Sequence, residues 1–330
     1  MRLDRELRMH TRRSLIAGSA ALAALAGPAF AQNYPQRPVR VIVPYAPGGA
    51  SDILARLIQP HLERALGQSF IVDNRGGGAS QVGTQAVAGA APDGYTIGVI
   101  DSAFVINPGL FVGKLPYDTK KDFAPVSLLA TTPLVLVVHP SVTAKTAQEL
   151  VALAKAKPGE ITFASAGLGT AIHLAGEQFR QVAGVDINHI PYRGGGPSVI
   201  DLLAGKVNFT FSTIPSIHAH VRSGAVRALG VTGMRSTHLP DVPSLSEAGL
   251  AGVDSAPLFG MVAPANVPPA IVARLGEVAA AAVKSGALHE RLLEIGYVPV
   301  GSTPDEFRTR IDNEIDKWTR IILTANIKPN

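Results

Sequence analysis

The chain has 330 residues, too many for one small core and enough for two domains of ordinary size. With 46% hydrophobic and 17% charged residues it is globular, not disordered, and the lack of cysteine excludes disulfides, thiolate metal sites and thiol nucleophiles. The formal charge is +5, but residues 1–31 carry five basic and two acidic side chains, so the remainder, 25 basic against 23 acidic, is nearly neutral and gives no grip on nucleic acid or a membrane surface.

Residues 1–31 have the form of an export signal. Arg2, Arg5, Arg8, Arg12 and Arg13 make a basic start, residues 15–25 are apolar or small, and Ala29-Phe30-Ala31 precedes Gln32 as an Ala-x-Ala cleavage site. The apolar run is about half the ~20 residues a spanning helix needs, so no anchor is expected once the signal is removed. Thr11-Arg12-Arg13-Ser14-Leu15-Ile16 is similar to a twin-arginine signal, and a general Sec signal also fits.

The mature chain opens on a strand at 39–43, β-branched apart from Arg40. Pro44 and Pro47 end it, Gly48-Gly49 form a turn, and a helix follows with Ser51 as N-cap and Pro60 as a kink or interruption. A glycine turn running into a helix start leaves backbone N–H groups free beside the positive end of the helix dipole, which suits an anion. Alternating signals continue: a strand at 70–73, the glycines Gly76-Gly77-Gly78, an alanine-rich helix at 81–91, and a strand at 95–100 ending at Asp101-Ser102. Residues 105–123 read as an irregular connection, and 124–130 and 134–138 as two apolar strands that could carry the chain into a second domain.

The middle block repeats the first in kind. A helix at 147–156 and a strand at 161–164 lead to a second glycine turn, Ser165-Ala166-Gly167-Leu168-Gly169-Thr170, before a helix at 171–182. A strand at 187–190 leads to a third, Tyr192-Arg193-Gly194-Gly195-Gly196-Pro197, and strands at 207–211 and 226–231 complete a largely parallel α/β sheet. Residues 259–262 read as a returning strand and 268–284 as a long helix. Thr303-Pro304-Asp305-Glu306 is a capping box, and Phe307, Ile311, Ile315, Trp318 and Ile322 recur at helical spacing on a face that must dock.

Three glycine turns at strand C-termini point to a ligand cleft outside those ends. A dinucleotide fingerprint fails at Ile172, and no Gly-Lys-Ser/Thr makes a Walker loop, so no cofactor is expected. The alternative is an exported hydrolase with Ser165 as nucleophile and His173 and Asp186 in the same block; against it, Ser165 sits between Ala164 and Ala166 with no Gly-x-Ser-x-Gly. No metal is expected: His173 and Glu177, four apart, read as a helix-stabilising or capping pair, and His218 and His220, two apart, share a side on a strand but face nearly opposite ways on a helix.

Set in order, Val43-Pro44-Tyr45-Ala46-Pro47-Gly48-Gly49-Ala50-Ser51-Asp52, Asp73-Asn74-Arg75, Ala91-Pro92-Asp93-Gly94-Tyr95, Leu115-Pro116-Tyr117-Asp118 and Pro191-Tyr192-Arg193-Gly194 resemble the Bug family of extracytoplasmic solute receptors, the binding components of tripartite tricarboxylate transporters. The resemblance runs from Tyr34 to Lys328. It implies an α/β type II periplasmic binding protein with two Rossmann-like lobes, residues 32–132 with 255–330 and residues 133–254, joined by two crossover segments. It also implies a periplasmic, monomeric receptor that closes on a small organic carboxylate without chemistry, with the membrane components of a tripartite tricarboxylate transporter as partners. Carried over by position, Pro47, Gly48, Gly49, Asp52 and Ser102 would grip from one lobe, and Ser165, Gly167, Thr170, Tyr192 and Gly194 from the other. The chain departs from the family pattern at Gly76, which replaces a proline, and at Ser212, Leu258 and Asp101. Asp101 is either a cleft-facing acid, repelling a second carboxylate and favouring an ammonium or hydroxyl, or a local cap.

Overall fold

The computed structural model describes residues 34–324 and 326–328; the export signal predicted over 1–31 lies outside them. Among the described residues eleven strands form two sheets. The first takes β1 (Val39–Val43), β2 (Phe70–Asn74), β3 (Thr96–Asp101), β4 (Phe123–Thr131), β10 (Leu258–Pro264) and β11 (Val298–Pro299) in the order β11-β4-β10-β3-β1-β2. The second takes β5 (Leu134–Val138), β6 (Thr162–Ser165), β7 (Asn188–Pro191), β8 (Phe209–Thr213) and β9 (Arg227–Val231) in the order β7-β6-β8-β5-β9. Each sheet with its helices is one lobe, and the chain crosses between them from β4 to β5 and from β9 to β10.

The sheets are mixed, not largely parallel. β1 lies parallel to β2 and β3, and β6 parallel to β7 and β8, but β10 and β5 run antiparallel to their neighbours. The antiparallel strands adjoin the crossovers: chain that enters a lobe from the other one arrives without the helical return that makes neighbours parallel.

The helices are α1 (Ala50–Leu66), α2 (Gln81–Ala88), α3 (Ala103–Leu110), α4 (Ala147–Ala156), α5 (Ala171–Ala183), α6 (Gly195–Leu203), α7 (Ile214–Arg222), α8 (Pro269–Lys284), α9 (Gly286–Glu294) and α10 (Pro304–Thr324). Pro60 neither ends nor interrupts α1, which continues to Leu66 and stops at Gly67 in the left-handed conformation. Ser51 is not its N-cap. Gly49 holds that place, and Ser51 lies inside the first turn, buried.

Helix α3 occupies a stretch expected to be irregular. Pro108 removes one helical N–H, and the carbonyl of Phe104 that it leaves free accepts from Thr119 Oγ1 at 3.4 Å. Ala103, Phe104, Val105, Ile106 and Leu110 are all buried, and α3 packs along α10, so apolar burial overrides the breaker residues. Both halves of the capping box form: Thr303 Oγ1 accepts from Glu306 N at 3.3 Å and Glu306 Oε2 from Thr303 N at 2.8 Å. The apolar stripe from Phe307 to Ile322 is buried, Trp318 with it. The last helix therefore returns to the first lobe and closes its core.

Candidate functional site

The two lobes meet along their glycine turns. Ala46 N donates to Arg193 O across the cleft at 2.9 Å, and Gly48-Gly49 lie against Gly195-Gly196. A Cβ on Gly196 would come 2.2 Å from the carbonyl oxygen of Pro47, so the lobes approach this closely because that side chain is missing. Behind the contact lies a partly open cavity, with about 30 Å³ of room for the centres of water-sized groups.

Helix starts surround this cavity. Gly49, Ala50 and Ser51 bring the N-terminus of α1, Ala171 and Ile172 that of α5, Gly195 that of α6, and Thr213 and Ser216 that of α7. Of these four helices only α5 has its cap made by a side chain, Thr170 Oγ1 accepting from His173 N at 3.2 Å. The caps of α1, α6 and α7, at Gly49, Gly194 and Thr213, make no such bond. Their first-turn N–H groups are therefore unoccupied by side chains and sit at the positive ends of three helices. Tyr45, Pro257, Phe259 and Ala166 supply apolar wall, and Ser212 a hydroxyl. Among the described residues no lysine, arginine or histidine lines the cavity, and Asp101 is the only charged residue that does.

Asp101 sits in the cavity wall and also bonds to the start of α3. Its Oδ1 accepts from Ala103 N at 2.9 Å, capping α3, and from Tyr45 Oη at 2.6 Å, while the residue also forms part of the cavity wall. Burial pushes its carboxyl up to about 6, against the hydrogen bonds of Tyr45 and Ala103, which hold it down. Tyr45 is raised well above the ordinary phenol range, first by burial and then by the Asp101 charge.

Of the residues expected to touch ligand, Gly49 lines the cavity, and the others stand one position or one turn behind it. Pro47, Gly48 and Gly194 form the seam between lobes. Asp52 accepts from Gly48 N at 3.0 Å, from Asn74 Nδ2 at 3.0 Å and from Arg56 Nε at 3.0 Å, and so ties the first turn together. Burial would raise its carboxyl, but those partners outweigh burial and hold it below the usual range. Ser102 Oγ accepts from Leu258 N at 2.9 Å, joining β3 to β10. Thr170 Oγ1 donates to Gly167 O at 2.7 Å, and Tyr192 Oη to Asp201 Oδ2 at 2.9 Å. The sequence assigned no ligand role to Tyr45, Ala50 or Ser216, and marked Ile172, Ser51 and Ser212 only in other roles.

Ser165 is fully buried and is not part of the cavity wall. Its Oγ lies 2.6 Å from His189 Nε2, and His189 stacks on His173 at 4.4 Å between ring centroids. Among the described residues no carboxylate bonds to His189, so the pair lacks the third group that orients a catalytic base. His173 Nε2 lies 4.0 Å from Glu177, whose carboxylate is bonded to Arg180 at 2.6 Å, and no metal-ligating cluster occurs among the described residues.

The family profile described as "Tripartite tricarboxylate transporter family receptor" matches residues 54–327. The chain belongs to this receptor family. It is 39% identical over 310 residues to Protein BugT of Bordetella pertussis, covering 93% of this chain and 95% of that one. Two solved structures to which the chain is similar carry small carboxylates. One, "R. palustris Rpa4515 with adipate", has a TM-score of 0.87 at 34% identity, covering 90% of this chain and 100% of that one. The other, MatC (Rpa3494) from Rhodopseudomonas palustris with bound malate, has a TM-score of 0.84 at 30% identity, covering 88% of this chain and 100% of that one. The type II periplasmic binding protein fold read from the sequence is the fold of these receptors, and this chain shares their role as a solute-binding receptor. Within the described residues no helix is long and apolar enough to cross a membrane.

Proposed function

We propose that this receptor works in the periplasm, captures a small organic carboxylate in the cavity between its lobes, and hands it to the membrane components of a tripartite tricarboxylate transporter. One observation carries the ligand class. The starts of α1, α5, α6 and α7 converge on a cavity that no basic side chain lines among the described residues, so a carboxylate is held by N–H donors and helix dipoles, not by a salt bridge. The adipate and malate carried by relatives agree with that chemistry.

In this reading residues 32–132 and 255–330 make one jaw and 133–254 the other, and the protein acts as a monomer. The ligand is bound and released unchanged. The Ser165–His189 pair is the one feature that favours a hydrolase, and its burial behind the cavity argues for a structural role.

Scanning fluorimetry of the mature protein against a library of mono-, di- and tricarboxylates tests the proposal. A ligand that binds only the folded, closed form at about a hundredfold above its Kd stabilises by about 2.7 kcal/mol, enough to shift the melting midpoint by several degrees. A flat response across the library, with amines and sugars shifting the midpoint instead, would refute the carboxylate reading.

A further inference from the structure

Asp101 places a negative group in a cavity whose other electrostatic features are positive helix ends. Each helix start carries the equivalent of roughly half a positive charge, so four supply about two. An ionised Asp101 cancels about one of them. A dianion would then be over-matched, whereas a monoanion would be matched.

The geometry adds direction to the charge. Tyr45 Oη and Ala103 N both bond to Oδ1 of Asp101, the residue's own backbone N–H is a further donor to the carboxylate, and among the described residues no other residue donates to Oδ2. The residue is only partly buried and belongs to the cavity wall. Tyr45 thus acts as a positioning residue, pinning one carboxylate oxygen so that the other is left for a guest. A carboxylate oxygen accepts and cannot donate, so what it rewards on the ligand is an O–H or N–H.

We propose that Asp101 sets ligand charge and polarity in this receptor, selecting acids with one carboxylate for the helix ends and a hydroxyl or ammonium donor for Asp101 Oδ2, and rejecting dicarboxylate dianions. The inference rests on the reading of the cavity as a carboxylate site and goes beyond it by naming which carboxylates enter. It also separates this chain from the adipate- and malate-bound relatives as a matter of ligand charge.

The selection depends on pH. Of the groups facing Asp101, Tyr45 and Tyr117 titrate far above neutrality, both raised first by burial, and the opposite wall offers Ser212, Thr213 and Ser216, which do not titrate. Asp101 is the one group there that changes charge near neutral pH; protonated, it becomes a donor and accepts a second carboxylate.

Calorimetry on the mature wild type and on Asp101→Asn, with acids matched in length, tests this. The four-carbon set is succinate, γ-hydroxybutyrate, γ-aminobutyrate and butyrate, and the six-carbon set is adipate, ε-hydroxycaproate, ε-aminocaproate and caproate. At about pH 8 the hydroxy or amino acid of one set should bind wild type at least about tenfold more tightly than the diacid and the plain acid, and Asp101→Asn should tighten the diacid by about tenfold. The hydroxy and amino arms tell which donor is used. Lowering to about pH 5 should bring wild type close to the variant for the diacid, since ligand protonation is common to both proteins. If the diacid binds wild type best and the substitution leaves it unmoved, the role of Asp101 is overturned and the carboxylate receptor stands. Equal binding of the plain and hydroxy acids also overturns it. If no acid of either set binds either protein, both readings fall. Should the variant not fold, the wild-type ranking alone decides.

Discussion

Ala46 and Arg193 belong to different lobes, yet the N–H of the first donates to the carbonyl of the second at 2.9 Å. That bond exists only when the cleft is shut, so the structure is the closed form of a two-jawed receptor. The glycines around it, Gly48 and Gly49 on one side and Gly195 and Gly196 on the other, let backbone approach backbone.

Gly196→Ala should therefore impair closure more than folding. Its Cβ would stand 2.2 Å from Pro47 O, a backbone atom of the opposite lobe that cannot step aside unless the jaws open. Within α6 itself alanine is the better helix former, by about 0.5–1 kcal/mol, so the lobe is not harmed. We expect ligand affinity to fall by at least about tenfold, a closure cost of about 1.4 kcal/mol or more, with the ligand-free melting midpoint little changed. Calorimetry and small-angle scattering check it; a variant that binds normally and scatters as the closed form would remove the seam from the mechanism.

A second prediction comes from the stacked pair His173 and His189. Burial pushes His173 down to about 3, with the nearby His189 and Arg180 charges adding to it, and burial pushes His189 down to about 4. In the unfolded chain both titrate near 6.5. The unfolded state thus binds protons from about pH 6.5 downward while the folded state does not until about 4 and 3, so stability is full above 6.5 and declines as pH falls through that window. The urea midpoint should drop between about pH 7 and about pH 4.5. A midpoint that stayed level would mean the imidazoles are not buried neutral.

Asp101 has the opposite sign. Its carboxyl is raised to about 6, so the folded state holds a proton that the unfolded state has lost between about 4 and 6, and above that window the ionised, desolvated group costs stability. Asp101→Asn keeps an acceptor for Tyr45 and Ala103 and removes the charge. The variant should be more stable than wild type by about 1–3 kcal/mol at about pH 8, with the gain fading below about pH 6. Paired denaturation curves at the two pH values measure it. A variant less stable at both would show that the carboxylate is stabilised where it sits.

The repeating unit of strand, glycine turn and helix was legible because it depends on local chemistry: β-branched runs, glycines, and apolar residues at helical spacing. Helix α3 was not, since Asn107, Pro108 and Gly109 speak against a helix and only burial against α10 outweighs them. The site was legible to the turn but not to the residue. Hydroxyls and carboxylates at Asp52, Ser102, Thr170 and Tyr192 looked like ligand groups, yet each is bonded within the fold. Residues with less to announce them, Ala50, Ala171 and Gly195, line the cavity, and Ser212 and Asp101 reach it from strands far apart in sequence. Which polar groups are spent internally is a tertiary property, and no spacing encodes it.

Asp52 shows what that internal use is worth. Its carboxylate joins the Gly48 N–H, Asn74 and Arg56, and the residue is 3% exposed, so it holds the turn from which Gly49, Ala50 and Ser51 face the cavity. Asp52→Ala leaves Gly48 N–H and Asn74 Nδ2, which are exposed and half-buried, without this acceptor, a loss of about 1–2 kcal/mol. Asp52→Asn keeps acceptance by one oxygen but loses the charge facing Arg56, and should cost about half as much. Both variants should also weaken ligand binding, because a loosened turn no longer holds the first N–H groups of α1 in place. Denaturation and calorimetry on the same samples separate the two effects. If Asp52→Ala lost affinity without losing stability, the carboxylate would be acting on the ligand itself, through water or a hydroxyl, and not on the turn.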